Sequence, residues 1–157
     1  MKYLPFYLKM CALVFISFAL SCDSGAGKKL LVFSKTAGFR HTSIEPGIEA
    51  LRQLAQKRGY QLTATEDVAY FQEDSLKNFS AVIFLNTTGD VLDYPEQANL
   101  ERYIQAGGGF VGIHAAADTE YDWPWYGKLV GGYFKSHPKV QQATIRVEDH
   151  QHPATAH

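Results

Sequence analysis

Three short runs of uninterrupted apolar residues punctuate the chain: Leu30-Leu31-Val32-Phe33, Ala81-Val82-Ile83-Phe84-Leu85 and Phe110-Val111-Gly112-Ile113. Runs of four or five without alternation predict strands buried on both faces, as in a parallel sheet covered by helices. The stretches between them carry helical spacing. Thr42-Ser43-Ile44-Glu45 reads as a capping box, followed by Ile48, Leu51, Leu54 and Ala55 on one face and a stop at Lys57-Arg58-Gly59. Pro95 opens a second helix with Leu100, Tyr103 and Ile104 on its apolar face, ended by Gly107-Gly108-Gly109. With a strand over Tyr60 to Thr65 and a short helix after it, the order becomes strand, helix, strand, short helix, strand, helix, strand. That alternation predicts an α/β three-layer sandwich with a mainly parallel sheet. Ala143, Ile145 and Val147 then alternate with polar residues, which predicts a final antiparallel or edge strand with one wet face. The chain stops at His152-Pro153-Ala154-Thr155-Ala156-His157 without a closing helix, so the domain is expected to be incomplete at its C-terminus.

The N-terminal end follows a different rule. Residues 1–22 carry Lys2 and Lys9, no acid, and the apolar stretch Met10 to Leu20, broken only by Ser17. This is the pattern of an export signal, too short for a comfortable membrane span. Ala19-Leu20-Ser21-Cys22 resembles a bacterial lipoprotein box, which makes Cys22 the expected lipidation site; the alternative is an ordinary signal cut before Cys22. On this reading residues 1–22 are a signal peptide, 23–28 a tether and 29–157 the domain, exported and anchored to a membrane on the periplasmic side or cell surface. The formal net charge of −1 becomes more negative once the two lysines are removed, so nothing basic is left to hold nucleic acid. Cys11 and Cys22 are the only cysteines, which excludes a disulfide framework, a Cys-ligated zinc and a thiol nucleophile in the domain.

In open parallel sheets, ligands bind beyond the carboxyl ends of the strands. Three loops fall there. Lys35 to Ser43 delivers Arg40 and His41 to a helix start, where orphan amides favour an anion or polar oxygen; a surface charge and a local hydrogen-bonding histidine are the plainer alternative. Asn86-Thr87-Thr88-Gly89-Asp90 offers Asn86, Thr87 and Asp90 for hydroxyl groups, although these residues also form ordinary turns. Gly112-Ile113-His114-Ala115-Ala116 places His114 on a sharp strand-to-helix turn, the shape of a nucleophile elbow with a histidine in the reactive place. Asp118, Glu120 and Asp122 follow, interleaved with Tyr121, Trp123, Trp125 and Tyr126. Carboxylates beside flat aromatic faces suit a sugar ring, with Asp122, Trp123 and Trp125 as contacts; the competing reading packs the two tryptophans as a lid without ligand. His114 is the expected proton-transfer group, assisted by Asp118. No HExxH or comparable spacing is present, so a divalent metal such as zinc would need sequence-distant ligands, for which His41, His114 and His137 are the candidates; scattered surface histidines are the plainer reading.

Four blocks of the sequence resemble the trehalose-utilisation (ThuA-like) family: Phe33 to His41, Phe84 to Asp90, Gly107 to Asp118 and Gly131 to Pro138. The resemblance spans Lys29 to His157 and implies a flavodoxin-like fold similar to class I glutamine amidotransferases. It also implies a role in using trehalose or a related disaccharide, including 3-keto forms, and a possible oxidoreductase or cytochrome partner, since the domain occurs fused to such modules. Amidotransferases carry a cysteine at the elbow. His114 stands there in this chain, so that activity is excluded. The expectation is therefore a carbohydrate-processing enzyme or enzyme-associated domain; a non-catalytic carbohydrate-binding or docking module, or a structural domain serving a fused oxidoreductase, are the alternatives.

Overall fold

A computed structural model describes residues 28–156. Cys22, the signal segment 1–22 and all of the tether but Lys28 lie outside the described residues. Four strands, β1 (Lys29–Phe33), β2 (Gln61–Thr65), β3 (Ala81–Leu85) and β4 (Gly109–Ile113), form one parallel sheet in the order β2-β1-β3-β4. This is the flavodoxin-like order, with its switch point between β1 and β3. The helices are α1 (Ile44–Lys57), the single turn α2 (Glu73–Leu76), α3 (Tyr94–Gln105) and α4 (Pro124–Val130). Tight 3-10 turns at Val68–Phe71 and His114–Asp118 complete the connections.

Alternate strand residues point to opposite layers. Leu31, Phe33, Val82 and Phe84 join Phe71, Leu76, Leu100, Tyr103 and Tyr126 in the larger core under α2, α3 and α4. Val32, Ile83 and Leu85 meet Ile48 and Leu51 of α1 on the other face. Each fully buried Leu or Phe side chain among them contributes roughly 1.5–3 kcal/mol, which accounts for the wholly apolar runs Leu30 to Phe33 in β1 and Ala81 to Leu85 in β3.

Four expectations are corrected. Val111 stands in register with Ile83 and belongs to the α1 face, yet α1 packs over β1, β2 and β3 on that face and leaves Val111 46% exposed. β4 is therefore an edge strand rather than one buried on both faces. Leu54, expected on the buried stripe of α1, is 57% exposed, because Ala55 takes the inward position. Ser43 is the N-cap of α1 but makes no side-chain cap bond; its hydroxyl accepts from Asn86 Nδ2 at 3.0 Å instead. Residues 143–147 form no strand: nothing pairs with them, and Ile145 is 89% exposed.

Candidate functional site

The three loops at the carboxyl ends of β1, β3 and β4 are stitched to one another. Ala37 N and Gly38 N both donate to Thr88 O, at 2.7 and 3.2 Å, and Thr88 Oγ1 donates back to Phe39 O at 2.9 Å. Gly89 is required at this seam: its φ is +72°, and an added Cβ would lie 3.1 Å from Ala37 Cβ and 3.2 Å from Gly38 N. The seam continues where Gly89 N donates to Asp118 O and Glu120 N donates to Gly89 O. Thr87 and Thr119, both fully buried, share a hydroxyl bond of 2.9 Å.

Glu120 is the strongest link. Its side chain is buried, and its Oε1 accepts from Val91 N and Leu92 N at 2.8 Å each while Oε2 accepts from Gln97 Nε2 at 2.6 Å. Burial pushes its carboxyl above the ordinary value; the three donors pull against that, and the charge of Asp90 adds to it. The sequence shows Glu120 only as one acid in a cluster of three. What distinguishes it is a pair of backbone donors 28 and 29 residues away, which no local pattern reveals.

On this frame a cleft of about 340 Å³ opens, lined by His41, His114, Asp118, Tyr133, Phe134 and His137 together with small residues. His114 projects from the end of β4 at φ +52°, an unusual conformation for a residue with a Cβ and the one an elbow demands. Its ring meets that of His41 edge to face, with centroids 4.8 Å apart. His41 Nδ1 is buried without a hydrogen-bond partner among the described residues. Tyr121 Oη lies 2.5 Å from Asp118 Oδ1 and 2.9 Å from Phe134 O. Its single proton goes to the carboxylate, which ties Asp118 to the cleft wall. Desolvation, then the hydrogen bond to Asp118 and its charge, pushes the Tyr121 phenol up to about 12.

Of the residues singled out from sequence, the structure thus gathers His41, His114, Asp118 and His137. The rest stand elsewhere. Arg40 is on the surface, paired with Glu45 at 2.8 Å and Glu66 at 2.9 Å, and those bonds hold its guanidinium above the ordinary value. Asn86 and Thr87 are buried in the seam, and Asp90 and Asp122 are exposed outside the cleft. Trp123 and Trp125 stack on each other at 5.1 Å, Trp123 also stacks on the buried Tyr126, and both pack against the larger core. They do not line the cleft, and their aromatic area goes into anchoring α4. Among the described residues no three His, Asp or Glu side chains are grouped as a metal ion requires, so the set His41, His114 and His137 does not fit a metal in this arrangement. The aromatic walls that the sequence reading missed are Tyr133 and Phe134, the latter in contact with His137 at 4.7 Å between ring centroids; Phe39 stands beside the cleft, in contact with His41 at 4.8 Å.

A parallel sheet in the order β2-β1-β3-β4, with a histidine on the turn that follows β4, defines the class: a flavodoxin-like α/β domain. The profile of the ThuA family, described as trehalose utilisation, matches residues 29–157, and the chain belongs to that family. A crystal structure of a ThuA-like protein from Bacteroides uniformis is similar, with 26% identity and a TM-score of 0.69. The match covers 87% of this chain and 58% of that one, so this chain spans less than two thirds of that protein's length. No curated protein matches.

Proposed function

We propose that the cleft binds a saccharide, of the trehalose type or its 3-keto derivative, and that His114 transfers a proton to or from it. The observation that carries this reading is His114 itself, held in a left-handed conformation at the elbow and facing His41 across 4.8 Å. A protein that maintains such strain at an exposed side chain uses it to aim a reactive group. His41 lines the same cleft as a second polar ring, and Asp118, fixed by Tyr121, offers an acceptor. The family's description, trehalose utilisation, supports the sugar class. The signal pattern ending at Cys22 supports an exported, lipid-anchored protein, and an oxidoreductase or cytochrome is the partner class to seek.

Titration calorimetry with trehalose and 3-keto trehalose, followed by product analysis, tests the reading. Binding with turnover that disappears in His114→Ala is the expected result. Binding without turnover would identify a carbohydrate-binding module, and binding of neither sugar would overturn the saccharide reading.

A further inference from the structure

Trp123 and Trp125 pack against the core, and of the two rings that line the cleft Tyr133 is stacked on Tyr121 and Phe134 lies against His137, so the most open ring near the histidines is another one. Phe39 is 70% exposed, among the most open large apolar side chains of the described residues. It is not a loose loop residue. Its carbonyl accepts from Thr88 Oγ1, the two preceding amides are bonded to Thr88 O, and its ring abuts His41, which in turn abuts His114. These bonds fix the backbone that carries the ring, and most of the ring's apolar area stays in water until something covers it. The ring therefore stands beside the cleft, next in line to the two imidazoles. An aromatic face carries partial negative charge, whereas the C–H groups on one side of a pyranose are weakly positive, and the hydroxyl rim of the same sugar seeks imidazole nitrogens.

We propose that Phe39 is the stacking platform of the cleft, on which one pyranose ring lies while His41 and His114 reach its hydroxyl groups; this rests on the saccharide reading of the same site. The residue sets affinity and ring preference and takes no part in proton transfer. Titration of the wild-type chain, Phe39→Ala and Phe39→Trp with trehalose and 3-keto trehalose tests it. Phe39→Ala is expected to weaken binding about ten-fold or more with an unchanged melting temperature, since the ring buries little, and Phe39→Trp to stay within about three-fold of the wild type. Equal affinity in wild type and Phe39→Ala would overturn the platform alone. A wild-type protein that binds neither sugar would remove the saccharide reading and the platform with it. Sedimentation of the same proteins supplies one more contrary outcome: self-association lost in Phe39→Ala, with sugar binding intact, would make the ring a protein contact and contradict the proposal.

Discussion

His114 and Glu120 are both held at positive φ, at +52° and +57°, and they show two uses of the same strain. At His114 the side chain is exposed, so conformation and chemistry separate cleanly. Glycine at this position relieves a cost of about 1–2 kcal/mol; His114→Gly is therefore expected to melt at or above the wild-type temperature while losing ligand turnover. His114→Val, which adds a β-branch at the same φ, is expected to lose about 1–2 kcal/mol in denaturant titration. At Glu120 the strain serves assembly. Glu120→Ala leaves the amides of Val91 and Leu92 without their acceptor and is expected to cost about 3 kcal/mol, read by the same titration. The folded carboxyl keeps its proton to a higher pH than the unfolded one, because burial raises its pKa. Its contribution to stability is full below the unfolded value and is lost as pH rises through the folded value. Melting temperatures of wild type and Glu120→Gln across that range check the sign: the wild type should lose ground to the variant as pH rises.

Elements were legible where one local rule decided them. Leu30 to Phe33 and Ala81 to Leu85 read as doubly buried strands because both faces of β1 and β3 are covered, and Pro95 and the Gly107 to Gly109 stop bracket α3 for backbone reasons alone. Where the outcome depended on a neighbour, pattern was not enough. Val111 has the same character as Ile83 but sits beyond the reach of α1, and the alternation of Ala143, Ile145 and Val147 describes a strand only if a second strand pairs with it. The Ser43 hydroxyl was diverted from capping by Asn86, forty-three residues away. Close approach between α3 and β4 gives a further test: a Cβ at Gly108 would lie 2.3 Å from the ring of Tyr103, whose hydroxyl donates to Phe79 O. Gly108→Ala must displace that ring and is expected to cost roughly 1–3 kcal/mol by thermal or denaturant unfolding.

Across the whole molecule, the parallel order places three chemically dense loops at one end of the sheet, and that much follows from alternation and from where the histidines fall. His41, His114 and Asp118 were visible for this reason. The division of labour among the aromatic residues was not, since tryptophans at the start of α4 and a phenylalanine before α1 look equally suited to a sugar until packing shows which of them lie against the core. Nor was Glu120 visible, because its donors come from another loop. The account's central claim is that the cleft between His41 and His114 is where the ligand binds. Side-chain NMR of the histidines in the full chain, titrated with trehalose and 3-keto trehalose, tests it directly. The account predicts that the imidazole signals of His41 and His114 shift with a common dissociation constant while those of His150 and His152, in the exposed segment after α4, stay in place. Binding detected by calorimetry without any shift at His41 or His114 would contradict it.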